Sequence, residues 1–189
     1  TFFEPLSVWN DSIVLIETSK ANILNLNDAG LNFKIKDQLP IIDLVMCQFN
    51  AGASSYPATW ANISDSQKRE FYEDAVEGKV EMLKQVMALY GAKFLLPFAS
   101  FFGLWNPEHK KYMEMSVFCP PFELKGILKG EEYEILDLLP GDSWSGDSST
   151  YTRFRSEAAA KKTYDKSTMI KMLEREFLRN GESLTNETR

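Results

Sequence analysis

Few residues of this chain are placed to do chemistry. Asp28 closes the segment Asn25-Leu26-Asn27-Asp28 at the end of an apolar run. A carboxylate held rigidly there can ligate a cation, or it can accept the hydrogen bonds of a turn. Gln48 opens the stretch Gln48-Phe49-Asn50-Ala51-Gly52-Ala53-Ser54, whose small residues let backbone approach a ligand. Gln48, Asn50 and Ser54 are therefore candidate substrate contacts, although a tight strand-to-helix crossing needs the same residue types. His109, the sole histidine, ends Trp105-Asn106-Pro107-Glu108-His109 and is either a metal ligand or a surface residue of a polar turn. Asp142 follows Pro140-Gly141 and reads as a turn residue. Phe98, Phe101, Phe102 and Trp105 read as core, with a substrate platform as the alternative.

The elements that would position these residues are legible as periodicities. Ile13 to Glu17 and Ala21 to Leu26 are apolar runs around Thr18-Ser19-Lys20, the pattern of a hairpin. Ile41 to Phe49, with Asp43 its only charge, predicts a strand covered on both faces. A Gly-, Ala-, Ser- and Pro-rich loop follows to Ile63, and Ser64 with Gln67 then predicts a capping box. The long helix it opens carries Phe71, Ala75, Val76, Val80, Leu83, Val86, Met87 and Tyr90 at helical spacing and ends at Gly91. Ala92 to Ser100 predicts a strand with Pro97 near its end or at a bulge. A short helix through Met115 follows, then a strand over Glu134 to Leu139 and a turn at Pro140-Gly141-Asp142. Residues 145–189 read as a Ser- and Gly-rich linker and an amphipathic helix over Lys166 to Arg179. Strand, helix, strand order after an initial hairpin predicts an α/β layered fold, a mixed sheet with flanking helices.

Composition narrows the partners. At 189 residues and 44% apolar content the chain can bury a core. A net charge of −6 and pI near 5.0 oppose nucleic-acid binding, and Lys161-Lys162 reads as part of a solvated helix face. No run reaches the length of a membrane span, and no signal peptide is recognisable, so a cytoplasmic protein is expected. Cys47 and Cys119 lie in apolar stretches without Cys-x-x-Cys spacing, which predicts buried thiols in a reducing compartment and no disulfide. The start at Thr1 and the polar tail from Asn180 suit an excised or processed fragment, or numbering that starts at the first ordered residue.

Taken in order, Val8-Trp9-Asn10-Asp11-Ser12, Asn27-Asp28, Gln48 to Ser54, Ala92-Lys93-Phe94 through Pro97-Phe98-Ala99-Ser100-Phe101-Phe102, and Pro140-Gly141-Asp142-Ser143-Trp144 form a set. This set resembles the metallo-β-lactamase-like portion of CMP-N-acetylneuraminate hydroxylase and its bacterial relatives, over residues 7 to about 144. The resemblance implies that residues 1–144 are the C-terminal half of an αββα sandwich. Asp11 and Ser12 then match a Gly-His-Thr-x-Asp-Ser segment, and Asp28 matches an Asp that bridges two metal ions. It further implies zinc or iron as a dinuclear centre in the intact protein, an iron–sulfur cluster in another domain, and a small-molecule substrate that is hydrolysed or hydroxylated. Three departures stand against it. The family's His-x-His-x-Asp-His cluster belongs to the other half, Val8 occupies the position of the hairpin-entry histidine, and aligning on Pro107-Glu108 puts Asn106 where relatives have a histidine. One Asp and one His cannot hold a metal pair. The chain alone is thus expected to be inactive and to need the missing half, a partner chain or a second copy of itself; a degenerate binding or structural module is the alternative.

Overall fold

The computed structural model describes residues 1–3, 11–49, 57–99, 110–117, 119–146, 150–154 and 156–187, with the side chains of Ala58, Ala160 and 180–187 left out. Six strands form one mixed sheet in sequence order: β1 (Phe2–Phe3), β2 (Ile13–Glu17), β3 (Asn22–Asn27), β4 (Leu44–Gln48), β5 (Phe94–Phe98) and β6 (Glu134–Ile135). The first three are antiparallel neighbours, while β3, β4, β5 and β6 run parallel. The fold is mixed α/β with layered helices, as the residue pattern implies.

The predicted hairpin is β2–β3. Its turn is closed by Thr18, whose hydroxyl donates to Ala21 O at 2.9 Å and accepts from Ala21 N at 2.9 Å. Asp43, the single charge of the β4 run, accepts from Asn22 N at 2.8 Å and so ties the start of β3 to the approach of β4. Parallel β4 and β5 need a crossover, and helix α1 (Asp65–Tyr90) supplies it. Ser64 and Gln67 form the reciprocal capping box, and Gly91 ends the helix at φ 66° with its N–H on Met87 O. The left-handed residue is where glycine carries no Cβ penalty.

Alternation along the strands sets two unequal faces. Ile13, Leu15, Leu24, Leu26, Val45, Cys47, Leu95 and Ile135 point to one face and pack with Val80, Leu83, Val86 and Met87 of α1. Helix α2 (Lys110–Met115) and helix α3 (Pro121–Ile127) follow, and Leu124 and Leu128 at α3 join the same core. The opposite face is thinner. There Leu44, Phe94 and Leu136 are buried beneath Trp144 and Tyr151, from the hairpin β7 (Ser143–Ser145) and β8 (Thr150–Thr152), and Phe94 meets Trp144 edge-on at 5.6 Å. Ile16, which shares this face with its cross-strand partner Ile23, is 43% exposed. β4 is therefore covered on both faces only at Leu44 and Val45, and Met46 and Gln48 are half-buried.

Two expectations are corrected. The strand expected over Glu134 to Leu139 pairs only at Glu134 and Ile135. Glu134 N and Leu136 N donate to Lys93 O and Leu95 O, so the odd-numbered residues of β5 face β6. Pro97 is next in that row and has no N–H to return, which ends the ladder. The stretch expected as linker begins and ends in the strands of the β7–β8 hairpin, and helices α4 (Glu157–Thr163) and α5 (Lys166–Glu187) complete the chain. Asp142 is the turn residue it was read to be. Gly141 takes φ 99°, and the Asp142 carboxylate accepts from Leu139 N at 3.0 Å and Phe154 N at 2.6 Å.

The inner face should dominate stability. Leu83→Ala, at a fully buried position, is expected to lose about 2–5 kcal/mol in urea unfolding. Ile16→Thr, on the open face, should stay within about 0.5 kcal/mol. Equal losses would show that the two faces are packed alike.

Candidate functional site

Parallel strands bring their carboxyl ends to one edge. Asn27 pairs with Cys47, Cys47 with Pro97, and Gln48 with Phe98, so Asp28, Gln48 and Ala99 emerge from neighbouring strands at the same rim. The register slips between Asn25 and Asn27, where β3 carries one extra residue. Asn27 takes a left-handed φ of 46°, and its N–H is held by Asn25 Oδ1 at 3.0 Å. Ala29 N then donates to Leu26 O at 2.9 Å, closing a turn from main-chain atoms alone. Asp28 sits in that turn, exposed, and its carboxylate makes no hydrogen bond or ion pair among the described residues. The turn reading of Asp28 therefore accounts for its position but gives its carboxylate no task.

Three further groups face this edge. Cys47 lies just inside it on the covered face, and burial pushes its thiol up to about 12, against the opposing pull of Lys79 and with a smaller push from Asp28. Lys79 and Asp28 are thus both within electrostatic reach of one sulfur. Lys79 Nζ also stands 3.5 Å from Gln48 Oε1, a long contact. The edge then combines a carboxylate without a partner among the described residues, an ammonium, an amide and a thiol too basic to act as a nucleophile at neutral pH.

The structure brings Asp28 and Gln48 together, one from each of two adjacent strands. Asn50, Ser54 and His109 lie outside the described residues, as do Trp9 and Asn10. Asp11 is half-buried and Ser12 exposed ahead of β2. Lys79 was not legible as a site residue, because its spacing marks only the flank of an amphipathic helix. No group of three or more His, Cys, Asp or Glu side chains able to hold a metal ion occurs among the described residues. Zinc takes three or four protein ligands, so the described residues, which nowhere gather three, do not by themselves fit a zinc or iron pair. Both cysteines are buried and free, in agreement with the sequence reading. No helix among the described residues is long and apolar enough to cross a membrane.

A second feature lies on the thinner face. Asp137, buried, accepts from Arg153 Nη2 at 3.2 Å and from Tyr164 Oη at 3.1 Å, while Asp137 O takes a second bond from the same guanidinium nitrogen at 2.9 Å. Burial first, then the Asp137 carboxylate, push the Tyr164 phenol up. Beside this cluster a groove of about 900 Å³ runs between the end of β5 and helices α4 and α5.

The chain matches no family model, no curated protein and no solved structure.

Folding keeps Cys47 protonated, so the unfolded chain loses its thiol proton first as pH rises. The contribution is intact below the ordinary value of 9.0 and is lost between 9.0 and about 12. Stability from urea titrations should therefore fall across that window, and Cys47→Ala should fall less steeply. Parallel slopes for the two proteins would remove Cys47 as a source of the alkaline loss.

Proposed function

We propose that this chain is the C-terminal half of a metallo-β-lactamase-like domain in a metal-dependent enzyme acting on a small-molecule substrate. Asp28 carries the reading. It is an exposed carboxylate at the carboxyl end of a parallel strand, with no partner among the described residues, beside Gln48 of the adjacent strand. Ligands concentrate at such strand ends, and the ordered motifs that include Asp28 resemble the sialic-acid hydroxylase branch. Because the described residues nowhere gather three ligands, the histidine-rich half of the domain would have to supply the rest. Hydrolysis and iron-dependent hydroxylation, the latter with an iron–sulfur domain elsewhere, are both compatible with that chemistry. The half-open sheet face at Ile16, Ile23 and Met46 supports the need for a second layer, either the other half or another copy.

One observation favours the second reading, a binding or structural module without metal. Lys79 places a positive charge within reach of Cys47 and Gln48, at the edge where Asp28 emerges, and there it would oppose a divalent cation.

Metal content of the intact protein separates the two. Zinc or iron should be bound, and Asp28→Asn should lower its stoichiometry while leaving thermal unfolding nearly unchanged. Full occupancy in Asp28→Asn would take Asp28 out of the site. Absence of metal in the wild-type protein, with Lys79→Met equally metal-free, would favour the module.

The open face gives a separate expectation. Residues 1–189 alone should self-associate in light scattering, and Ile16→Lys should reduce that association. A monomer at all concentrations would show that the face needs no cover.

A further inference from the structure

The groove beside α4 and α5 is a built feature, because polar anchors hold both of its walls. On one side Tyr164 is fixed to Asp137. On the other, the Lys166 ammonium donates to the carbonyls of Glu114 and Ser116 at the end of α2, and Lys110 pairs with Glu174 of α5 at 3.1 Å. These contacts set the helices against α2 and the 137–142 segment while leaving an apolar channel between them and the sheet. Leu96 and Phe98 form its floor, Leu138 and Ala159 one wall, and Met169 and Met172 the other. Its volume of about 900 Å³ falls in the range of small-molecule sites, and methionines adapt to irregular apolar chains.

Charge selects the ligand further. The chain has 27 acidic and 21 basic residues, yet among the described residues no Asp or Glu lines the groove, and Lys162 does. The other polar groups there are partly spent. Thr163 Oγ1 donates to Ala159 O, and Tyr164 Oη donates to Asp137. Lys162 makes no ion pair among the described residues, whereas its neighbour Lys161 is paired with Glu157 at 3.0 Å.

We infer that this groove binds an amphiphile made of an extended apolar chain and one carboxylate head, the chain lying along Leu96, Phe98 and the two methionines and the head at Lys162. The inference is independent of any metal at the Asp28 edge. Titration calorimetry on the metal-free full chain tests it with dodecanoate and with dodecan-1-ol, the same chain without charge. Dodecanoate should bind saturably at one site per chain. Lys162→Met should weaken dodecanoate about threefold to fivefold, the upper part of the range of an exposed charge pair, and leave dodecanol unchanged. Ala159→Trp, at an exposed helical position, should abolish both by filling the channel. Should that variant fail to fold by circular dichroism, Met172→Glu, at a position 59% exposed, gives the same readout by setting a carboxylate against the ligand. Absence of saturable dodecanoate binding overturns the inference, as does binding that survives both channel variants or a Lys162→Met effect equal for acid and alcohol. A dimer that Ala159→Trp disrupts and dodecanoate does not would assign the groove to a second copy, which also overturns it.

Discussion

The docking of α1 on the sheet is the constraint on which the rest depends. β4 and β5 are parallel neighbours of five residues each, so the chain must return the length of the sheet between them. At 26 residues α1 is about 39 Å long, roughly twice the reach of either strand. Its buried residues Val80, Leu83, Val86 and Met87 lie in the C-terminal part, next to the Gly91 cap that feeds β5. The N-terminal part overshoots the carboxyl edge, and there Tyr72 is buried with its hydroxyl near Ser116 Oγ at 3.2 Å. Lys79 falls where the helix passes that edge. The same docking that seals Cys47 therefore carries an ammonium to Gln48, and neither could change without moving the other.

What could be read from the residues were the features that local chemistry decides. Ser64 with Gln67, the Gly91 stop, the Thr18 turn and the Asp142 turn each depend on groups within a few positions of one another. Features decided at long range stayed hidden. The shortness of β6 depends on Pro97, a residue of the neighbouring strand, whose missing N–H matters only once the two are paired. The β7–β8 hairpin is Ser-rich and short, and it folds because Trp144 and Tyr151 find Phe94 and Leu44 on the sheet. Lys79 has the spacing of any helix-flank residue. Asp28 and Gln48 were recognisable singly, but their adjacency follows from the parallel register of β3 and β4, which no local pattern encodes.

The two faces of the sheet are held by different forces. The inner layer rests on apolar burial, with Leu24, Leu26, Leu83, Val86 and Leu95 fully removed from water. The outer layer is pinned at polar points: Asp137 to Arg153 and Tyr164, Asp142 to the Phe154 amide, and Lys166 to the carbonyls that end α2. Removing one partner of a largely buried pair such as Asp137–Arg153 leaves the other charge uncompensated, so this pin is costly to break from either side. Such anchoring fixes helices at a distance from the sheet, where apolar packing would have closed the gap. The groove under α4 and α5 is the geometric consequence.

Backbone conformation at the carboxyl edge follows the same division. Asn27 at φ 46° and Ala99 at φ 51° are the two non-glycine residues in the left-handed region among the described residues, and they end β3 and β5 on either side of Gln48. Asparagine tolerates that conformation, and here the Asn25 side chain holds the Asn27 amide in it. Ala99 has no such side-chain support among the described residues, and a left-handed alanine costs on the order of 1 kcal/mol or more. A turn needing only to reverse the chain would be met by glycine at no cost, as Gly91 meets it at the end of α1. Strain is thus retained at the end of β5 alone, where Ala99 turns the chain at the rim it shares with Gln48 and Asp28.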